Sequence, residues 1–211
     1  DEPCTALDAM RAGWFQDGEL CAAPVSVPGV AAAWQVVFAA DLAQDVSVDG
    51  HDLDPVVCAV DPALRYAAIS YHAPVMAPVL VGCADSALKL AQQRPPGIDI
   101  TNNFTRPVPF DLWVLAPVLA DGWVLFGEAG EKYVPVSRQR VRWLQVVDAS
   151  HLTASLYGVR EQPRLLVGQV RNGAVATATA ACPFRAAPGL WTLSCQSTAN
   201  APTCSCVAAN A

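Results

Sequence analysis

The sequence predicts an all-β protein with minor helix, an antiparallel β-sandwich architecture built from two disulfide-bonded β units. Short runs rich in Val, Thr and aromatic residues recur about every 10 residues in the second half, between Gly, Asn and Pro turns. Hydrophobic residues make up 53% of the 211 residues and charged residues 15%, which is ample material for a core. Eight cysteines, an even number, can cross-link the chain.

The second half contains the clearest strand signals. An Asp-Gly step at 121–122 and an Asn-Gly step at 172–173 predict hairpin turns between neighbouring strands. Simple alternation in the segment VRWLQVV places Arg142 and Trp143 on opposite faces. The expected strands are 112–115, 123–126, 132–137, 140–147, 152–158, 164–170 and 174–181.

The first half is more mixed. A capping-box pattern predicts a helix over 5–13, and a second short helix is expected over 85–94, before Pro95. Prolines 74 and 78 confine the last expected strand to a sheet edge. The expected strands are 31–40, 45–48, 56–60, 66–71 and 75–82.

The cysteines divide the chain into two sets of four around a Pro-rich segment. This division predicts an N-terminal disulfide-bonded β unit over 1–93, a connector over 94–109, and a C-terminal antiparallel sandwich over 110–211. The alternative is one continuous sandwich with a long crossover at the connector. The first set is Cys4, Cys21, Cys58 and Cys83, and the second is Cys182, Cys195, Cys204 and Cys206.

Disulfides are the expected role of these cysteines. The chain has no CxxC pair and no His at ligand spacing, so we expect no metal site. A bond between Cys204 and Cys206 would close a strained ring, because one residue separates them. If the last four cysteines pair among themselves, Cys182 and Cys195 must each bond one of that pair. The tail would then be tethered covalently.

The cysteines and a glycosylation triplet predict a secreted or surface-displayed protein. Asn103 begins the triplet Asn-Phe-Thr in a proline-flanked segment, and we expect a glycan there. Disulfides form in oxidising compartments. The sequence begins at Asp1 without Met, as a mature secreted chain does. The alternative is a bacterial exported protein with a chance triplet.

Charge and hydropathy exclude several partner classes. The net charge of −6 and the pI near 4.9 argue against nucleic acid and anionic membrane surfaces. No window reaches the roughly 18 apolar residues of a transmembrane segment. We therefore expect a protein partner or self-assembly, with a glycan as the alternative ligand.

The sequence shows no recognisable catalytic or cofactor motif, so we expect no catalytic residue and no cofactor. Nucleophile-elbow, zinc-helix, phosphate-loop and dinucleotide patterns are all absent. His51 lies among three aspartates in the segment 49–54, but their order does not match a calcium loop, which favours a solvated turn. His72 and His151 are expected at strand ends.

Paired glutamates and the tryptophans were the remaining candidates. Glu128 and Glu131 lie at an expected hairpin tip, where two carboxylates seldom face each other across a cleft as a glycosidase requires. Tryptophans in apolar runs are expected in the core, although an exposed pair would stack on sugar rings or anchor a protein interface. The six are Trp14, Trp34, Trp113, Trp123, Trp143 and Trp191.

Three function hypotheses follow. The first is a non-enzymatic glycoprotein that acts through protein binding or self-assembly, as a structural, coat or envelope component or a receptor-like module. The second is a carbohydrate-binding sandwich or accessory domain of a carbohydrate-active enzyme, which would align surface aromatics on one sheet face. The third is a hydrolase whose site residues are dispersed in sequence.

Overall fold

The computed structural model describes residues 20–25, 27–40, 45–71, 77–91, 110–129, 136, 140–158, 163–183 and 189–209. Within them the chain forms fourteen strands, two short helices and one 3-10 turn, and every strand pair is antiparallel. The predicted all-β class is confirmed. The expected helix at 5–13 and most of the expected strand at 132–137 lie outside the described residues.

The strands are β1 (Leu20–Val25), β2 (Trp34–Ala40), β3 (Val46–Val48), β4 (Arg65–Ser70), β5 (Val79–Gly82), β6 (Leu88–Leu90), β7 (Phe110–Pro117), β8 (Trp123–Glu128), β9 (Val141–Asp148), β10 (His151–Gly158), β11 (Arg164–Arg171), β12 (Ala174–Ala181), β13 (Gly189–Gln196) and β14 (Thr203–Ala208). The helices are α1 (Gly50–Leu53) and α2 (Pro55–Val60). Neither approaches the length of a membrane span, and no other helix among the described residues does.

The strands form four sheets. Sheet A has the order β1-β2-β7-β4-β5, sheet B pairs β3 with β6, sheet C has the order β12-β11-β8, and sheet D has the order β14-β13-β10-β9. Strand β5 lies at an edge of sheet A, as the prolines before it predicted.

The two Gly-containing turns have different outcomes. Asn172 and Gly173 both have positive φ and join β11 directly to β12, so the predicted hairpin is confirmed. Asp121 and Gly122 also have positive φ, but they connect β7 in sheet A to β8 in sheet C. The predicted hairpin there is wrong, because β7 takes β2 and β4 as its partners instead.

Strand β7 is the middle strand of sheet A. It follows the expected connector and was assigned to the second unit, yet both of its neighbours come from the first half. The division into units 1–93 and 110–211 stays a prediction, and the connector 94–109 lies outside the described residues. The low charge of the segment 112–119 reflects this central position.

One core lies between sheets A, C and D. Its buried side chains include Trp34 and Ala67 from sheet A, Leu125 from sheet C, and Leu156 and Leu193 from sheet D. The indole Nε1 of Trp34 donates a hydrogen bond of 2.6 Å to the backbone oxygen of Leu125. The two halves of the chain therefore share a core.

A second core lies on the opposite face of sheet A, because alternate residues of its strands point the other way. The two helices and sheet B cover it. The expected strand at 56–60 is wrong, since these residues lie in α2. Asp54 caps this helix by accepting from the backbone nitrogen of Val57 at 3.0 Å, and Pro55 occupies its first turn.

The expected helix at 85–94 is also wrong over 88–90, where the chain forms β6. Leu88 and Leu90 are buried and Lys89 is exposed, which is the two-residue period of a strand. Pairing with β3 places both leucines in the second core.

Three disulfides join described cysteines. The tail cysteines pair as their spacing predicted, with no bond between Cys204 and Cys206, so β14 is tethered at two points. Cys4 lies outside the described residues, and the side chain of Cys21 is not described. The bonds are Cys58–Cys83, Cys182–Cys206 and Cys195–Cys204.

Candidate functional site

The segment around His51 is a capped helix start. The carboxylate of Asp49 accepts from the backbone nitrogens of His51 at 2.8 Å and Asp52 at 3.1 Å. Asp52 in turn accepts from the backbone nitrogen of Asp49 at 3.0 Å, which completes a capping box. The described residues contain no group of three or more side chains that could hold a metal ion. These carboxylates therefore stabilise local structure.

Glu128, in β8, forms an ion pair with Arg140, the residue before β9. The Nε of Arg140 donates to Oε1 of Glu128 at 2.6 Å, and both side chains are largely buried. The guanidinium also donates to the backbone oxygen of Tyr157 at 3.2 Å. Glu131, His72 and Asn103 lie outside the described residues.

The tryptophans divide into buried and exposed members. Trp34, Trp123 and Trp191 are buried, as expected. Trp113 is half-buried, and Trp143 is 41% exposed. Trp14 lies outside the described residues.

The largest group of exposed apolar side chains lies on the outer side of sheet D. We define the exposed sheet face as the outward-pointing residues of β9, β10, β13 and β14. Of the eight large apolar residues exposed in the described part of the chain, five lie on this face. They are Trp143, Val147, Tyr157, Leu190 and Val207.

Strand alternation builds this face. In β10 and β13 every second residue is buried in the first core, so the residues between them point to solvent. Register then aligns Val207, Thr192, Ser155 and Trp143 in one row across all four strands. Tyr157 and Leu190 are paired in the adjacent row. The apolar residues thus flank a line of hydroxyl groups.

A bulge in β9 explains why Arg142 joins Trp143 on the face. Ser155 pairs with Trp143 but Leu156 pairs with Val141, so one residue of β9 is unpaired. Arg142 and Trp143 are consequently both exposed, and the expectation that they lie on opposite faces is wrong. The guanidinium carbon of Arg142 lies 5.4 Å from the ring centre of Tyr157, a cation–π contact.

The polar groups of the face are mostly neutral. His151 opens β10, as expected, and its Nε2 lies 2.9 Å from Oγ of Ser194. The hydroxyl of Thr153 donates to the backbone oxygen of Leu193 at 3.2 Å. These bonds hold side chains in place and leave the centre of the face uncharged.

Two formal charges lie in the four strands, Arg142 and Asp148, at opposite ends of β9. The hydroxyl and the backbone nitrogen of Ser150 donate to Oδ1 of Asp148 at 2.6 and 2.7 Å. The bond from the Ser150 hydroxyl, and then the bond from its backbone nitrogen, lower the pKa of Asp148 from its usual value.

An exposed apolar patch is expected from the low charge of the chain, but its position on sheet D was not predicted from the sequence. Strand β13 was not among the expected strands, although GLWTLSCQ alternates apolar and small polar residues and was a usable signal. The bulge in β9 depends on its pairing with β10, which local sequence does not reveal.

The fold and this face together define a disulfide-bonded all-β protein with a nearly uncharged sheet surface open to solvent. Comparison with models of known protein families, with curated proteins and with solved structures finds no match for this chain.

Proposed function

We propose that the chain is a non-enzymatic binding protein that acts by packing the exposed sheet face against another protein chain. The observation that carries this proposal is the grouping of five exposed apolar side chains on one sheet surface. Large exposed apolar patches on soluble proteins mark interaction sites. Interface centres are enriched in Trp and Tyr and depleted in charge, as this face is.

The proposal includes secretion or display at a cell surface, with a glycan on Asn103. The three disulfides support an oxidising compartment. Expression in a glycosylating host tests the glycan, and Asn103→Gln should then increase gel mobility. An unchanged mobility would remove the glycan from the proposal and leave the binding face standing.

Site-specific photo-crosslinking tests the binding face. A photoreactive phenylalanine analogue replaces Val207 on the face or, as a matched control, Val56 on α2, which is 74% exposed. We expect a discrete protein adduct from position 207 and none from position 56, when the chain is secreted from living cells. Equal adduct patterns, or none from position 207, would contradict a protein-binding role for the face.

One observation favours carbohydrate binding as a second candidate. Trp143 and Tyr157 point outward on the same face, beside the hydroxyls of Ser155 and Thr192. Aromatic faces stack on sugar rings, and neutral hydroxyls bond them. Neutral oligosaccharides would then quench tryptophan fluorescence saturably in the wild type and not in Trp143→Ser. Saturable quenching without any protein adduct would replace the first candidate by the second.

A further inference from the structure

We infer that the partner on the exposed sheet face is a second copy of this chain, packed face to face across a two-fold axis. This inference rests on the proposed function and specifies its partner. The two-fold axis lies in the interface plane, perpendicular to β9. It places Arg142 of each copy opposite Asp148 of the other.

The distribution of charge supports self-packing at this face. The chain carries a net charge of −6, so two copies repel each other over most approaches. Four aspartates lie in and beside the two helices, on the other side of sheet A: Asp49, Asp52, Asp54 and Asp61. The strands of sheet D contain one cation and one carboxylate. Two copies that meet at this face therefore bring few like charges together.

The positions of the two charges fix the orientation. Arg142 and Asp148 are six residues apart on β9, which is about 20 Å along an extended strand. A two-fold axis across the strand exchanges its ends, so each charge of one copy meets the opposite charge of the other. Every contact in a two-fold interface occurs twice. The contact of Arg142 with Tyr157 holds the cation over the face before the copies meet.

The size of the face agrees with an interface between two copies. The four strands lie about 4.8 Å apart and rise about 3.3 Å per residue. Three of them have eight residues and β14 has six, so together they outline about 500 Å². Trp143, Leu190 and Val207 stand above this outline and increase its accessible area. A standard interface buries about 800 Å² of accessible surface per partner. The face thus supplies most of that area by itself.

Charge reversal at the two ends of β9 tests this arrangement by sedimentation equilibrium. We expect the wild type to dimerise reversibly, and Arg142→Glu or Asp148→Arg to weaken dimerisation about tenfold or more, because each places like charges together twice. The double variant, with both changes in one chain, restores opposite charges and should recover most of the affinity. Partners of any other kind give no such recovery.

Three further variants separate loss of the interface from misfolding. Asp148→Asn removes the charge but keeps an oxygen that accepts from Ser150, and it should weaken dimerisation less than Asp148→Arg. Val207→Ser should weaken dimerisation, whereas the matched Val56→Ser should not. Disulfide mapping and near-ultraviolet circular dichroism verify the fold of each variant.

The outcomes separate this inference from the proposed function. Two results together would overturn self-packing and leave the binding face in place. The wild type would stay monomeric at about 100 μM, which is about 100 times a micromolar dissociation constant, and position 207 would give an adduct with a different protein. A monomer with no adduct overturns both. A dimer whose affinity the double variant fails to restore overturns the two-fold arrangement.

Discussion

We call α1 and α2, which lie over sheet A, the helix layer. The exposed sheet face and the helix layer lie on opposite sides of the molecule, and their surfaces differ in charge. The face is made of long strands in register and contains almost no charge. The helix layer is made of helices of four and six residues, with aspartates at their ends. Both expose apolar residues, and Val56 and Val60 on α2 are more exposed than any of the five large apolar residues of the face.

This difference shows that exposure alone does not identify a binding surface. The two valines of α2 stand among aspartates that keep the helix layer solvated. Single apolar residues on a polar surface are normal in soluble proteins. On the exposed sheet face, register makes the apolar residues neighbours across several strands. The candidate site therefore differs from the helix layer because its apolar residues are neighbours and because almost no charge lies among them.

Removing disulfides should give the largest losses of stability, and the two regions should differ in how much they lose. The bond Cys58–Cys83 fastens the helix layer across 25 residues, whereas Cys195–Cys204 spans 9 residues within sheet D. Replacing both cysteines of a bond by Ala removes it. Loop-closure entropy then predicts that the free energy of unfolding falls by about 3.5 kcal/mol without Cys58–Cys83 and by about 2.5 kcal/mol without Cys195–Cys204. Urea unfolding measures both. The reverse order would show that sheet D depends more on its cross-links than the helix layer does.

Alkaline pH should destabilise the helix layer through Tyr66. Burial, and then the charge of Asp54, raises the pKa of Tyr66 to about 12 from 10.0. Because the folded pKa is raised, this contribution to stability is fully present below pH 10 and is lost as pH rises through 12. The expected loss is about 2 kcal/mol.

Unfolding curves between pH 8 and 12 (about the range of tyrosine ionisation) measure this loss. Tyr66→Phe should remove it and should cost nothing at neutral pH, since the hydroxyl is buried without a hydrogen-bond partner. Tyr157→Phe on the exposed sheet face is the matched control and should keep the wild-type pH profile. A pH profile unchanged by Tyr66→Phe would assign the alkaline loss to another group.

Loss of a helix cap should give the smallest effect. Asp49→Ala removes the acceptor for two backbone nitrogens of α1 and should cost about 1 kcal/mol of unfolding free energy. Asp49→Asn keeps an accepting oxygen without the charge and should stay within a few tenths of a kcal/mol of the wild type. Thermal unfolding compares them. Equal losses in both variants would mean that the charge, and not the cap, stabilises the layer.

The sequence predicted those parts of the fold that depend on neighbouring residues. The all-β class, most strands of the second half, the turn at 172–173 and the tail disulfides follow from alternation, turn chemistry and cysteine spacing. Helix α2 was missed because its apolar residues resemble a strand, although Asp54 and Pro55 form a helix start signal.

The candidate site was less predictable, because it depends on pairing between distant strands. Arg142 joins Trp143 on the exposed sheet face through the bulge against Ser155 and Leu156, and the rest of the face comes from three other strands. The place of β7 in sheet A is non-local in the same way. Local sequence patterns indicate which face of a strand is apolar, but they do not determine which strand pairs with it.

The central place of β7 also determines when this chain can fold during its synthesis. Strands β2 and β4 have no middle partner until residues 110–117 have been made, because Gln35 pairs with Leu115 and Ala68 pairs with the same residue. The bond between Cys58 and Cys83 can close before that point, but sheet A cannot. The nascent first half therefore waits with open strand edges, the state in which chains are most exposed to misassembly. The open edges of β2 and β4 can close once β7 emerges.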